Sequence, residues 1–72
     1  MIRGGLVIKQ MRKTRGLTQP EMADICFRSK NTVGRWETGE SEPSFTEVFM
    51  AGSKMKFSDD EVFSIYSELK AV

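Results

Sequence analysis

Apolar residues recur at helical spacing in five segments of the chain. The clearest segment is the last, where positions i, i+3, i+4 and i+7 are Val62, Ile65, Tyr66 and Leu69. In the first segment, Leu6, Val7 and Met11 share one face of a helix expected over residues 6–14. No segment shows the period-two alternation of a half-buried strand. The pattern therefore predicts an all-α fold of five helices.

Polar residues mark where these helices begin and end. Three Ser/Thr-x-x-Glu capping boxes precede apolar runs, at Thr18–Glu21, Ser44–Glu47 and Ser58–Glu61. A further helix is expected over residues 30–38, between an N-cap at Ser29 and a terminating Gly39. The inward faces of the second and fourth helices are expected to contain Met22, Ala23 and Cys26, and Phe45, Val48, Phe49 and Met55.

Composition excludes several classes of function. The chain has 72 residues, one cysteine and no histidine, so we expect a single domain over residues 1–72, no disulfide and no zinc site. No apolar run approaches the ~20 residues of a membrane span, and no signal-peptide core is present. We expect no enzymatic activity, no cofactor, no small-molecule ligand and no membrane contact. The single cysteine fits a reducing cytosol.

The net charge of +1 conceals an uneven distribution. Residues 1–39 carry eight basic and three acidic side chains, a net charge of +5, whereas residues 40–72 carry three basic and seven acidic ones, a net charge of −4. A basic face attracts a polyanion such as a nucleic acid. Small domains also show such asymmetry by chance, so the charge distribution alone does not decide the partner.

Residues 18–38 have the layout of a helix-turn-helix, in which the second helix lies in the DNA major groove. Lys30, Asn31 and Arg35 supply hydrogen-bonding groups on the exposed face of this second helix. Val33 and Trp36, spaced i and i+3, supply the apolar face that packs against the first helix of the motif. The expected partner is therefore double-stranded DNA.

The chain resembles the DNA-binding domains of the lambda-repressor-like family, which includes Cro and regulators related to the xenobiotic-response-element repressor. The matching residues cover roughly residues 6–66. They are Arg12, Gly16-Leu17-Thr18-Gln19, Glu21-Met22-Ala23, Ser29, Thr32-Val33, Arg35-Trp36-Glu37, Gly39, Pro43-Ser44 and Phe57-Ser58. The resemblance implies a five-helix domain and a DNA-binding function. It also implies a partly buried ion pair between Arg12 and Glu37.

The resemblance and the chemistry of the side chains together give a candidate DNA-contact set. It consists of Gln19, Arg28, Ser29, Lys30, Asn31, Thr32, Gly34, Arg35 and Thr38. Gln19 is expected to bond a phosphate, and Lys30 and Asn31 are expected to read base edges. Arg35 is expected to contact either a base or a phosphate. Gly34 either allows close approach to the groove or is a tolerated glycine on a solvated face.

Five positions in three segments depart from the family pattern. Phe27 and Arg28 stand where relatives usually have a turn glycine and an apolar residue. We expect either a reshaped turn in which Phe27 takes the apolar role, or a slightly longer second helix, with Arg28 facing DNA. Glu40 and Glu42 occupy a loop that is often basic in relatives, so backbone amides near Thr38 are the better phosphate contacts. Lys56 replaces a common C-capping glycine.

These features predict a sequence-specific DNA-binding transcriptional regulator. Its expected location is the cytoplasm of a bacterial or phage-infected cell, in association with the nucleoid. The preferred hypothesis is a small phage or prophage Cro-like repressor that binds a palindromic operator as a homodimer through its C-terminal half, including Phe63, Tyr66, Leu69 and Val72. Two alternatives of the same class are a DNA-binding antitoxin and the controller protein of a restriction-modification system. A more distant alternative is a protein-bridging module with the same fold.

Overall fold

The computed structural model describes residues 3–70, and this range contains five α-helices and no strand. The helices are α1 (Gly4–Thr14), α2 (Gln19–Ile25), α3 (Lys30–Thr38), α4 (Phe45–Lys54) and α5 (Asp59–Lys70). The prediction of an all-α, five-helix fold is confirmed. None of these helices has the length and apolar character needed to cross a membrane. The C-terminal Val72 lies outside the described residues.

The three capping boxes begin α2, α4 and α5. In the first, the Thr18 hydroxyl accepts a hydrogen bond from the Glu21 amide at 3.2 Å, and the Glu21 carboxylate accepts one from the Thr18 amide at 2.8 Å. The boxes at Ser44 and Ser58 have the same two bonds. These boxes satisfy amides that a helix leaves unpaired in its first turn.

α1 lies against α3, α4 and α5, and α2 packs against α3. Val7, Ile8 and Met11 of α1 are fully buried. The prediction that Leu6 belongs to this face is wrong, because Leu6 remains 37% exposed. α1 begins two residues earlier than expected, and its close contact with α3 is made at Gly5, where an added Cβ would lie against the Trp36 backbone. Leu6 lies about 100° around the helix from Gly5, on the side that faces solvent.

Phe45 also departs from the predicted core. It is 69% exposed because it is the first residue of α4, ahead of the buried Val48 and Ala51. Its ring packs against Tyr66 of α5, with 5.7 Å between the ring centroids. Phe45 therefore contributes to an aromatic surface shared by α4 and α5.

α1, α2 and α4 end in the same left-handed motif, although only the first uses a glycine. Gly16, Phe27 and Lys56 have φ angles of 69°, 54° and 67°. After each, the next amide bonds back to a carbonyl in the last turn of the helix, as in Arg28 to Ala23 at 2.9 Å. Both expectations for Phe27 are therefore wrong. The backbone hydrogen bonds keep the turn in its usual shape, α2 ends at Ile25, and the Phe27 side chain is 79% exposed.

Candidate nucleic-acid interface

The position of α3 is set by its buried face. Val33 is fully buried and Trp36 is 4% exposed, and both lie in one core with Ala23 of α2. The left-handed Gly39, with a φ of 90°, ends α3 and reverses the chain. The opposite face of α3, which includes Lys30, Asn31 and Arg35, consequently faces solvent.

The N-terminus of α3 uses two of the predicted contact residues for capping. The Ser29 hydroxyl accepts a hydrogen bond from the Thr32 amide at 3.1 Å and lies 2.9 Å from the Thr32 hydroxyl. This cap fixes the first turn of the helix. Lys30 and Asn31 are exposed in that turn and present their polar ends to solvent.

Six of the nine predicted contact residues line one open groove. The lining consists of Gln19, Lys30, Asn31, Gly34, Arg35 and Thr38, together with Glu40. Gln19 comes from the start of α2, whereas the other predicted residues come from the exposed face of α3. The turn between the two helices thus brings together side chains that are separated by eleven or more residues in the chain.

Arg28 lies outside the lining of this groove. Its guanidinium is 3.6 Å from the carboxylate of Glu47 in the first turn of α4. The pair is partly exposed, so its strength is that of a surface ion pair. A DNA contact by Arg28 would require this pair to open.

A buried network behind the groove joins three helices. Arg12 of α1 donates to both carboxylate oxygens of Glu37 on α3, at 2.7 and 2.9 Å, and to the Leu17 carbonyl at 2.9 Å. Gln19 of α2 donates from Nε2 to Glu37 at 3.2 Å. The Glu37 side chain is only 4% exposed and that of Arg12 is 14% exposed.

This network controls the charge of Glu37. Burial by itself raises the pKa of a carboxyl group, but hydrogen bonds from Arg12 and Gln19 and the positive charge of Arg12 outweigh it, so the pKa of Glu37 is lowered. The Glu37 hydrogen bond raises the pKa of Arg12 against the opposing effect of burial. The Gln19 amide, with one hydrogen committed to Glu37, keeps a second hydrogen for an acceptor in the groove.

Two residues lie at positions that the sequence pattern did not predict. Arg3 donates to the Glu37 carbonyl at 3.2 Å and so bonds the end of α3. Glu40 enters the groove, where its carboxylate lies 3.7 Å from Arg35 Nε. The available signal for Glu40 was the left-handed Gly39, which turns the chain back toward the preceding helical turn.

Metal binding and thiol chemistry are two further possibilities for the reactive side chains of the chain. Among residues 3–70, no group of three or more cysteine, histidine or acidic residues is placed to hold a metal ion. Burial raises the pKa of the Cys26 thiol despite the opposing charges of Lys54 and Arg28. A buried thiol of raised pKa is a poor nucleophile, and Cys26 acts as a small core side chain.

The sequence model for the helix-turn-helix domain matches residues 5–62 of the chain. The chain belongs to the helix-turn-helix family. Domains of this family bind DNA with the second helix of the motif, which corresponds here to α3. The resemblance noted in the sequence is thereby confirmed at the level of this family.

The helix-turn-helix chain is also similar to a solved protein. This is an HTH_3 family transcriptional regulator from Vibrio cholerae, known from a crystal structure, with 29% sequence identity and a TM-score of 0.73. The match covers 90% of the present chain and 36% of that protein, so the chain spans about a third of its length. A search of curated proteins found no match.

Proposed function

We propose that this helix-turn-helix chain is a sequence-specific regulator of transcription that reads the major groove of duplex DNA with α3. The observation that carries the proposal is the groove lined by Gln19, Lys30, Asn31 and Arg35. Lysine donates to guanine, and asparagine pairs with adenine through two hydrogen bonds. A helix N-terminus and the free Gln19 amide hydrogen suit a phosphate beside them.

The proposed regulator binds a palindromic operator as a homodimer and belongs to the small phage or prophage Cro-like repressors. Two-fold symmetry matches half-sites about 34–36 Å apart along the duplex. The candidate dimer surface is the aromatic face of α4 and α5, which we define as Phe45, Phe49, Met50, Phe63 and Tyr66. Phe45, Met50 and Phe63 are each more than half exposed, and a second copy would remove this apolar surface from water.

Selection from a pool of random duplexes tests the proposal. A palindromic motif is expected to be enriched, and the affinity of the protein for that motif is expected to fall steeply between about 50 and about 200 mM salt. Enrichment of no motif, with weak binding at both salt concentrations, would contradict a sequence-specific reader of DNA.

Alanine variants assign the roles within the groove. Lys30→Ala and Asn31→Ala are each expected to cost roughly 1–3 kcal/mol on the selected site and little on other duplexes. Gln19→Ala is expected to weaken binding to all duplexes alike, because a phosphate carries no sequence information. Equal losses on selected and unrelated duplexes for all three variants would argue that α3 does not read bases.

A further inference from the structure

Arg35 shares the groove with a carboxylate from beyond the end of its own helix. Gly39 reverses the chain after α3, and this reversal brings Glu40 Oε2 to 3.7 Å from Arg35 Nε. The two side chains are 64% and 70% exposed, so both remain accessible to a partner in the groove. Both also line the same groove as Lys30 and Asn31.

The position of the Glu40 carboxylate matters because of the groups that the Arg35 guanidinium can bind. A guanidinium binds a phosphate and the O6 and N7 atoms of guanine with the same pair of parallel donors. An unpaired arginine in the groove would therefore bind the backbone of any duplex. A nearby carboxylate occupies the guanidinium and repels phosphate, whereas the edge of a guanine has no net charge to repel.

We propose that Glu40 is a specificity-determining residue that acts through Arg35. This inference rests on the proposed DNA-binding function. The Glu40 carboxylate competes with phosphates for the Arg35 guanidinium and restrains it on the groove wall. Arg35 is then available to a base edge in the correct register, and binding to unrelated duplexes is weakened. The negative charge of Glu40 thus increases the discrimination of the protein between DNA sequences.

The test compares Glu40→Gln with Glu68→Gln, which removes the same charge from an exposed position on α5 outside the groove. Each variant is titrated with a fluorescein-labelled duplex that lacks the selected motif, at about 50 and about 200 mM salt. Glu40→Gln is expected to bind this duplex about three- to fivefold more tightly than Glu68→Gln, in line with a surface ion pair. The slope of log affinity against log salt is expected to steepen by about 1 for each protomer, because one more phosphate is contacted.

A second pair of variants shows whether the effect passes through Arg35. In an Arg35→Gln background, Glu40→Gln and Glu68→Gln are expected to bind the unrelated duplex equally. An excess for Glu40→Gln that persists in this background would overturn the proposal, since Glu40 would then act by its own repulsion of phosphate. Unchanged melting temperatures for all variants show that folding does not contribute.

The remaining outcomes separate this inference from the function on which it rests. If the parent chain binds duplex DNA but Glu40→Gln and Glu68→Gln do not differ, only the role of Glu40 is overturned. If the parent binds no duplex even at about 50 mM salt, both the proposed function and this inference are overturned.

Discussion

At the scale of single residues, the Glu37 carboxylate connects the core to the groove. It accepts hydrogen bonds from Arg12 of α1 and Gln19 of α2 while lying on α3 itself. A buried ion pair adds little net stability compared with an apolar pair, but loss of one partner leaves the other charge buried and unpaired. Glu37 therefore fixes both the crossing of three helices and the direction of the Gln19 amide.

Removal of this carboxylate should destabilise the whole fold. Glu37→Ala is expected to lower the free energy of unfolding by roughly 3–5 kcal/mol, because Arg12 is left as a buried charge. Urea unfolding measures the loss, with Glu68→Ala as a surface control that should stay within about 0.5 kcal/mol of the parent. DNA affinity should also fall, since Gln19 loses its acceptor. A Glu37→Ala variant with the stability of the parent would contradict the role of the pair.

Acid should weaken the same network. The folded-state pKa of Glu37 lies below its ordinary value of 4.5, so its contribution is fully present above pH 4.5. This contribution is lost as the pH falls through the folded-state pKa. Urea unfolding between about pH 6 and about pH 3 should therefore show a steeper loss of stability for the parent than for Glu37→Gln. Identical pH profiles for the two proteins would show that Glu37 does not titrate in this way.

At the scale of elements, the helices cross where side chains are smallest. A Cβ added at Gly5 of α1 would lie against the backbone of Trp36, which cannot move without displacing α3. By contrast, a Cβ added at Gly34 would meet only Gln19 Oε1, at 3.9 Å. The two glycines thus have different roles, although both occupy helices.

Alanine substitutions should separate these two roles. Gly5→Ala is expected to lower the free energy of unfolding by about 1–3 kcal/mol or more, because the added methyl group overpacks the contact between α1 and α3. Gly34→Ala is expected to raise it by about 1 kcal/mol through helix propensity. Thermal and urea unfolding measure the change in stability of each variant. Duplex titration of Gly34→Ala then tests the close approach to DNA, because an unchanged affinity would remove that explanation for Gly34.

At the scale of the whole molecule, the two proposed binding surfaces come from different parts of the fold. The groove belongs to α2 and α3, whereas the aromatic face belongs to α4 and α5. On the aromatic face, Phe49 lies 4.9 Å from Phe63 and 6.4 Å from Tyr66 between ring centroids. In the proposed function, this division leaves the groove free for DNA when the aromatic face contacts a second copy.

A charge placed on the aromatic face should prevent dimerisation without unfolding the monomer. Phe63 is 59% exposed, so Phe63→Asp is expected to shift the protein from dimer to monomer and to weaken operator binding at least tenfold. Sedimentation equilibrium measures the mass. Phe27→Asp, at an exposed aromatic residue outside this face, should leave the dimer intact. A monomeric parent, or a dimeric Phe63→Asp variant, would contradict the proposed surface.

Local interactions made much of the fold predictable. Each capping box joins residues three apart, so Thr18 and Glu21 can be recognised without knowledge of the fold. The core of α5 at Val62 and Ile65 followed from helical spacing alone. The prediction for Phe27 was wrong because it assumed that a residue other than glycine would not adopt the left-handed conformation. The backbone hydrogen bonds of the motif hold Phe27 in that conformation, so the turn has the same shape as with glycine.

The sequence by itself determined the five helices, the helix-turn-helix motif and the types of side chain available for DNA. These depend on interactions between residues near one another in the chain. Only the tertiary structure decided that Leu6 and Phe45 are exposed, that Gly5 sets the crossing of α1 and α3, and that Glu40 meets Arg35. These outcomes depend on the rotation of each helix and the reversal at its end, which are fixed when all the helices pack together.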